Sequence, residues 1–234
     1  MALIICALPA KAQTEQRGIY QNHMHFGLMA HTKGYGFNVR KYKNITYDKR
    51  QILEFDFSLT MKHKREQLAV GNSIGQSLYF FGKLNHIFIP RFFYGRQYII
   101  ADFEHPLGVR LSFNWLAGVN TTMAKPIYLR IYTSATKPAE IQRFDPVLHQ
   151  DPRIIEGSGP WYKGLNEMKF YPGVSAKAAL SFEWGKQEDA YKFLELGVMA
   201  DVYTTKVPIM AYSEENTPYF INVYATFSPK GQRW

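Results

Sequence analysis

The segment VSAKAALSFEW, residues 174–184, decides the fold, because every second position in it is apolar. In a β-strand, successive side chains point to opposite faces of the sheet. One face of this segment carries Ser175, Lys177, Ser181 and Glu183, and the other carries Val174, Ala176, Ala178, Leu180, Phe182 and Trp184. The pattern predicts a strand with one apolar face and one polar, partly charged face.

The same alternation recurs in residues 51–60, 109–120, 194–202 and 219–227, although Leu116 and Gly118 interrupt the polar face of the second of these segments. Strands of about ten residues are long enough to cross the apolar layer of a bilayer at a tilt. Aromatic residues make up 16% of the chain, a high share for a soluble protein. The sequence therefore predicts an all-β fold, a single antiparallel up-and-down transmembrane β-barrel of about ten strands (8 to 12) in residues 13–234.

Other segments are less regular. Residues 23–32 and 36–43 predict a hairpin turned at Lys33-Gly34-Tyr35, and residues 85–100 predict a strand interrupted at Pro90. Residues 61–76 form a polar stretch rich in Lys and Gly. One long loop, residues 133–168, contains four prolines and carries Trp161 and Tyr162 near its end. Two interpretations of this loop are open: it folds over or into the lumen, or it is a plain surface excursion.

Alternation alone does not say which face meets lipid, since a soluble barrel or sandwich places the apolar face inward. The position of the charges discriminates between them. In a membrane barrel the following residues converge in a narrow lumen and form ion pairs: Glu54, Asp56, Arg110, Lys177, Glu183, Glu195 and Asp201. Such a set closes a small barrel, which disfavours a wide porin.

Aromatic residues near predicted strand ends agree with an interfacial girdle, although each of them alone is also compatible with a core position. They are Tyr94, Tyr98, Trp115, Trp184 and Tyr203.

The first residues predict a signal peptide, residues 1–12, because a short apolar run ends in the small-x-small pattern Ala10-Lys11-Ala12. A cationic region before the run is missing. This indicates either a start codon upstream of the one used here or a buried first strand. Cys6, the single cysteine, lies inside the segment, so the mature chain forms no disulfide. Ile5 before Cys6 is too large for a lipoprotein signal.

The chain carries 28 basic and 19 acidic residues, a formal net charge of +9. The positive residues are scattered, in segments that we interpret as turns, loop tips and the chain end, and they form no single basic stripe. We therefore expect no nucleic-acid partner. Solvated loops, or contacts with lipopolysaccharide phosphates, account for the basic groups at 41–43, 49–50, 62–65 and 230–233.

The sequence contains residue types that occur in catalytic and metal-binding sites, but they form no complete motif. His23 and His25 share one face of a strand without an indicated third metal ligand. His86, Ser112 and Ser181 are candidates for a barrel-rim hydrolase, yet no Gly-x-Ser-x-Gly motif marks a nucleophile. The run 157–160, Gly-Ser-Gly-Pro, indicates a turn. The sequence thus assigns no catalytic, cofactor-binding or metal-binding residue.

Several runs resemble those of a little-characterised family of Bacteroidota outer-membrane β-barrel proteins. They are Phe81-Gly82-Lys83-Leu84-Asn85, Tyr94-Gly95-Arg96-Gln97, Lys125-Pro126-Ile127-Tyr128-Leu129, Glu167-Met168-Lys169-Phe170-Tyr171-Pro172-Gly173 and Lys206-Val207-Pro208-Ile209-Met210-Ala211. The resemblance spans residues 27–234. It implies an outer-membrane location and a barrel fold, and brings no substrate, cofactor or active site with it.

From these observations we expect a non-enzymatic outer-membrane protein, a structural or accessory subunit of an envelope assembly or secretion complex. Its expected partners are outer-membrane lipid, lipopolysaccharide and other envelope proteins. The alternatives are a narrow channel, a lipid-binding barrel and a lipid-modifying enzyme. One departure concerns the final strand. Trp234 supplies the terminal aromatic residue of such barrels, but it is out of phase with Phe227 across Pro229, so either a bulge restores the phase or residues 219–227 are the recognised strand.

Overall fold

The computed structural model describes residues 22–60, 67–70, 78–102, 108–132, 138–187, 190–211 and 216–233. The expected signal peptide 1–12 with Cys6, the basic group 62–65, most of the polar stretch 61–76, and Trp234 lie outside the described residues.

Within the described residues, thirteen β-strands make up nearly all of the regular structure. They are β1 (Asn22–His31), β2 (Gly34–Thr46), β3 (Lys49–Thr60), β4 (Gln67–Val70), β5 (Leu78–Phe81), β6 (Asn85–Ala101), β7 (Arg110–Pro126), β8 (Tyr128–Ile131), β9 (Glu140–Arg143), β10 (Ile155–Ser158), β11 (Lys169–Gln187), β12 (Ala190–Tyr203) and β13 (Tyr219–Arg233). Two short 3-10 helices cover Pro152–Ile154 and Leu165–Glu167. No described helix has the length and hydrophobicity to span a membrane.

Eight of these strands close into an antiparallel barrel in the order β1-β13-β12-β11-β7-β6-β3-β2. Each barrel strand pairs with the barrel strands before and after it along the chain, and β13 returns to β1. The prediction of a single up-and-down barrel is confirmed. The barrel has eight strands, which is the lower end of the predicted range. The other five described strands form two smaller sheets outside the barrel wall.

The two ends of the barrel differ in their connections. One end, here called the turn end, holds the first and last residues of the wall and the connections 47–48, 102–109 and 188–189. The other end, here called the cap end, holds the hairpin turn 32–33 and three longer connections, 61–84, 127–168 and 204–218. The predicted hairpin near the N-terminus is confirmed as β1 and β2, paired from Asn22↔Lys43 to His31↔Gly34.

The cap end carries two small sheets, β10-β8-β9 and β4-β5. A cluster of buried apolar side chains joins β5, β8 and β10: Tyr79, Ile127, Leu129, Ile131, Phe144 and Ile155. The loop predicted at 133–168 is therefore partly folded, since it contains β9, β10 and both 3-10 helices. Its buried Phe144 and Ile155 pack within this cap rather than in the lumen. The predicted turn at 157–160 is partly strand, because Gly157 and Ser158 pair with Arg130 and Leu129.

The described parts of connection 204–218, residues 204–211 and 216–218, form a lid over the mouth of the barrel. Val207, Ile209 and Met210 of the lid are buried against Ile87, Ile89, Ala124, Tyr203 and Phe220 of the barrel strands. Backbone hydrogen bonds hold it in place, from Leu84 N to Ile209 O (2.8 Å) and from Ala211 N to Gly82 O (2.8 Å). The Asn85 amide also donates to Pro208 O at 2.7 Å.

Two of the prolines inside barrel strands, Pro90 and Pro229, bear on the sequence predictions. The interruption predicted at Pro90 is wrong, because β6 runs through it and Pro90 pairs with Phe57 of β3. A proline cannot donate to a neighbouring strand, and the ladder with β7 shows no pair between Phe88↔Met123 and Arg91↔Asn120. Near Pro229, the pairing of β13 shifts by one residue against both β1 and β12. A bulge is therefore present in β13, and beyond it Gln232 pairs with the outward-facing Met24. Trp234 lies outside the described residues, so both interpretations of the final strand stay predictions.

Candidate functional site

The apolar faces of all eight barrel strands point outward and remain exposed. Val174 is 58% exposed on β11 and Ile221 is 62% exposed on β13. By contrast, Lys177 and Glu183, on the opposite face of β11, are 3% and 0% exposed. A soluble barrel or sandwich would show the reverse arrangement, with the apolar face inside. The observed arrangement is that of a barrel built for an apolar solvent.

Phenylalanine rings form a continuous row on the outer wall across β1, β2, β3 and β6. The ring of Phe37 lies 5.8 Å from that of Phe26 and 5.6 Å from that of Phe57. The rings of Phe55 and Phe92 are 4.9 Å apart. These rings contact one another along the surface and do not turn inward, so they add to the apolar area of the wall.

The height of the apolar wall matches a bilayer. The apolar face of β11 runs from Val174 to Trp184, which is ten residue steps of about 3.3 Å each, or about 33 Å along the strand. At a tilt of about 40° this becomes about 25 Å, the height of the apolar band in outer-membrane barrels.

The centre of the lumen is an ion-pair network around Arg40. The Arg40 guanidinium donates to Glu54, and donates in bidentate fashion to Glu195, at 2.5 and 2.7 Å. Glu195 also accepts from the Tyr224 hydroxyl at 2.7 Å and the Asn114 amide at 2.6 Å. Such saturation with donors is what a buried carboxylate requires.

A second centre lies next to the first along β3 and is linked to it by Lys177. The Lys177 ammonium donates to Glu54 at 2.7 Å and to Asp56 at 2.5 Å. Arg91 makes a bidentate contact with Asp201, both distances being 2.8 Å, and reaches Asp56 at 3.4 Å. The two centres therefore form one network, and each member depends on the charge of its neighbours.

A third centre lies nearer the turn end. Glu183 accepts from Arg50 at 2.9 Å and from Arg110 at 3.2 Å, and Arg110 also donates to Asp102 at 2.8 Å. On the described barrel strands, five lumen cations match five lumen anions: Arg40, Arg50, Arg91, Arg110 and Lys177 against Glu54, Asp56, Glu183, Glu195 and Asp201. These ten described charges sum to zero.

Apolar side chains complete the filling of the lumen. A buried cluster consists of Met29, Tyr42, Ile52, Phe93, Leu116, Ala179, Met199 and Tyr224. Leu116, which interrupted the polar face in the sequence, belongs to this cluster. Gly118, the other interruption of the polar face, lies where no side chain fits, because a Cβ there would be 1.9 Å from the backbone oxygen of Phe92. With Arg40 and Arg91 at 0% exposure, the described lumen contains no open path.

The sequence predicted the carboxylates and Lys177 of this network but missed three of its arginines. Arg50 was placed in a turn with Lys49, yet it is 4% exposed and paired with Glu183. Lys41 and Lys43 lie within β2 and not in a turn. Arg40 and Arg91 were not singled out, because 36–43 alternates irregularly and Pro90 obscures the pattern of β6. The two-residue spacing of polar side chains on β2 is the signal that could have placed Arg40 in the lumen. Arg40 lies two residues from Asn38 and two from Tyr42, and all three are buried.

The paired histidines His23 and His25 both point into the lumen and are buried. The His25 ring lies 4.4 Å from the ring of Phe193 and 5.3 Å from that of Tyr42. Among the described residues, no group of three or more His, Cys, Asp and Glu side chains is placed to hold a metal ion. The arrangement is that of an aromatic lumen layer.

The candidate hydrolase residues do not come together. The Ser181 hydroxyl accepts from Gln97 at 3.1 Å and from Asn114 at 3.2 Å, and Ser112 is its cross-strand partner. Ser112 also pairs with Ile99 of β6, whereas His86 lies 13 residues earlier on that strand. At about 3.3 Å per residue, His86 and the serines are about 40 Å apart along the wall. They form no nucleophile and base pair.

Of the aromatic residues expected at the interfaces, Tyr94 and Trp115 are exposed on the outer wall. Tyr98 and Trp184 are half-buried. The prediction for Tyr203 is wrong: it is 4% exposed and packs under the lid, 5.5 Å from the ring of Phe220. Its odd-numbered position on β12 places it on the lumen face with Asp201.

The cap carries exposed apolar side chains of its own. Val147 is 74% exposed, Leu148 71% and Trp161 77%. Elsewhere on the cap, the Tyr128 hydroxyl donates to Glu167 at 2.5 Å, a hydrogen bond that raises the pKa of Tyr128. Exposed apolar groups of this size outside a membrane-facing wall are typical of a contact surface.

No protein-family model and no curated protein matches this sequence. Among solved structures, the chain is similar to Ail, the attachment invasion locus protein of Yersinia pestis, at 10% identity and a TM-score of 0.40, covering 91% of this chain and 96% of Ail. That structure of Ail is a complex with the heparin analogue sucrose octasulfate. Neisserial surface protein A is similar at 8% identity and a TM-score of 0.39, covering 91% of this chain and 94% of that one. Because these TM-scores are low, the fold assignment depends on the strand pairing of this chain itself.

Proposed function

We propose that this chain is a non-enzymatic outer-membrane β-barrel protein, exported by residues 1–12, and a structural or accessory subunit of an envelope assembly or secretion complex. The carrying observation is the division of the described barrel into an exposed apolar wall and a lumen filled with paired charges and apolar side chains. A closed barrel satisfies every backbone group within the wall, which is the condition for strands in lipid. The motifs that resemble Bacteroidota barrels support the same location.

The filled lumen favours a scaffold over a channel. Ions would have to displace Arg40, Arg91 and Lys177 from carboxylates with which each is paired. Removing one member of a buried ion pair costs about 3–5 kcal/mol. The lid over the cap end adds a second closure through Val207 and Ile209. We therefore expect no conductance.

The cap is the proposed partner surface. In barrels of this kind the short turns face the periplasm and the longer connections face outward, so the cap end of this chain lies outside. Its exposed Val147, Leu148 and Trp161 offer apolar contact groups on turns next to the small cap sheet. Apolar and aromatic residues of this kind are enriched at protein interfaces.

Two experiments test the proposal. In planar bilayers the purified protein shows no single-channel events, and steady unitary conductance would favour the channel alternative. In the native envelope, a photo-crosslinking residue in place of Leu148 or Trp161 captures one envelope protein, whereas the same residue in place of the exposed Arg153 does not. A lone monomer with no crosslinked envelope protein would contradict the accessory role.

A further inference from the structure

Four basic side chains face outward near the turn end and are exposed: Lys41 and Lys43 on β2, Lys49 on β3 and Arg96 on β6. Lys41 and Arg96 each lie five residues from the turn-end limit of their strand, and Lys43 lies three residues from it. Lys49 is the first residue of β3. We call them the turn-end basic patch. This position places them in the turn-end part of the outer wall, with the exposed Ile45 and Ile100 beyond Lys43 and Arg96 on the same faces.

Strand register brings the patch together. Lys43 pairs with Gln51 of β3, and Gln51 pairs with Arg96 of β6. Since neighbouring strands are about 4.8 Å apart, the backbones of Lys43 and Arg96 are separated by about 10 Å. Lys41 lies on the same face of β2, two residues from Lys43. Long basic side chains at these spacings can reach a common anion.

The patch differs from the cations of the lumen in lacking carboxylate partners. Each of Arg40, Arg50, Arg91 and Lys177 inside the barrel forms an ion pair. Among the described residues, no acidic side chain lies within ion-pair distance of the four patch residues. The described parts of β2, β3, β6 and β7 also place no Asp or Glu on their outward faces. The patch is therefore a positive surface without internal compensation.

Aromatic residues surround the patch. Arg96 pairs across strands with Trp115, and Lys49 pairs with Tyr98. Tyr94, two residues from Arg96, is 52% exposed. Tyr and Trp favour the headgroup level of a bilayer, where an apolar ring and a polar tip are both accommodated.

Among the side chains that the structure describes, the patch lies on one side of the barrel. On the opposite wall, formed by β11, β12, β13 and β1, the outward side chains described near the turn end are mainly Phe182, Trp184, Phe227, Met24 and Phe26, with Lys192 as the basic exception. An anchor against the membrane surface in general would be spread around the barrel. A cluster on three adjacent strands fits one discrete anionic group.

We infer that the turn-end basic patch binds the phosphate of an anionic glycerophospholipid in the leaflet that faces the periplasm. This inference rests on the proposed function, because the turn end faces the periplasm only in an inserted outer-membrane barrel. Lys41, Lys43 and Arg96 hold the phosphate, Lys49 lies at its outer side, and the acyl chains run along the wall past Leu53 and Tyr94.

Native mass spectrometry of the full protein in detergent, with phosphatidylglycerol and phosphatidylcholine of identical acyl chains as probes, tests this inference. Each basic residue near an anionic lipid contributes about fivefold to binding. We expect the wild type to retain phosphatidylglycerol at least about tenfold better than phosphatidylcholine. The triple variant Lys41→Gln, Lys43→Gln, Arg96→Gln loses that preference. A control with equal loss of charge, Lys163→Gln, Lys169→Gln, Lys192→Gln, keeps it.

Three results overturn the inference: no preference in the wild type, equal loss in the control variant, or a patch-dependent preference for lipid A in place of phosphatidylglycerol. A separate readout distinguishes failure of the proposed function. Flotation with lipid vesicles and a heat-dependent gel shift report insertion of the barrel. A protein that does not insert refutes both proposals, and one that inserts without lipid preference refutes this inference alone.

Discussion

Lys177 is the residue whose environment most clearly distinguishes this barrel from a pore. Its ammonium lies between Glu54 and Asp56 and is 3% exposed. Replacing Lys177 with Met leaves two buried carboxylates short of a cation. We expect a loss of about 3–5 kcal/mol in the free energy of unfolding, measured by urea titration in phospholipid vesicles. The control Lys169→Met, at an exposed site, changes it by less than about 0.5 kcal/mol. Equal effects would contradict a dry lumen.

Gly118 controls the contact between β6 and β7. Because a Cβ at this position would lie 1.9 Å from the Phe92 backbone oxygen, Gly118→Ala forces the two strands apart. We expect a strongly reduced fraction of folded barrel on unheated gels. Ala117→Ser, at the adjacent exposed position on the outer wall, serves as the control and folds normally. A fully folded Gly118→Ala protein would show that the wall is looser than described.

At the scale of elements, the side chain of Asn216 adds three hydrogen bonds to the described part of the lid. Asn216 accepts from the amides of Ile209 (3.1 Å) and Met210 (3.3 Å) and donates to Met210 O (2.9 Å). Removing it leaves these backbone groups without that partner, so the lid opens more often while the wall stays closed.

Trypsin cleavage after the exposed Lys206 measures this opening. We expect Asn216→Ala to be cut several times faster than the wild type while it keeps its heat-dependent gel shift. Thr217→Ala removes only a hydrogen bond to Tyr219 O (2.7 Å) and is the control. If Asn216→Ala and the control are cut at the wild-type rate, the lid is held by its apolar contacts alone.

The elements also show what the sequence can predict. The five clearly alternating segments were predicted, because alternation is a local signal that residues such as Val174 and Lys177 carry in every second position. The cap was missed, since its strands have four residues each and depend on distant pairings such as that of Ile131 with Ile155. The number of barrel strands could not be predicted either, because it depends on which strands pair with one another, and no local sequence pattern specifies that.

At the scale of the whole molecule, the alternation predicted an apolar and a polar face for each strand, but it did not say which of them faces the lumen. The pairing of Glu54, Asp56 and Lys177 within the lumen could be expected from charge cost alone, since unpaired charges do not persist in an apolar interior. The arginines Arg40 and Arg91 completed the network from segments whose patterns were irregular. Neither the sequence pattern nor the described structure brings the candidate catalytic residues together, because His86 lies far from Ser112 and Ser181 on the wall.

The most direct test asks what solvates the outer wall. In proteoliposomes of the full chain with Cys6→Ser, a nitroxide label is placed at Leu196, Val198 or Val202 on β12, and for comparison at Val147 or Leu148 on the cap. The account predicts that the β12 labels collide readily with dissolved oxygen and poorly with a water-soluble nickel chelate, whereas the cap labels show the reverse. Labels at Leu196 and Val198 that meet the nickel chelate as readily as those at Leu148 would contradict the membrane assignment.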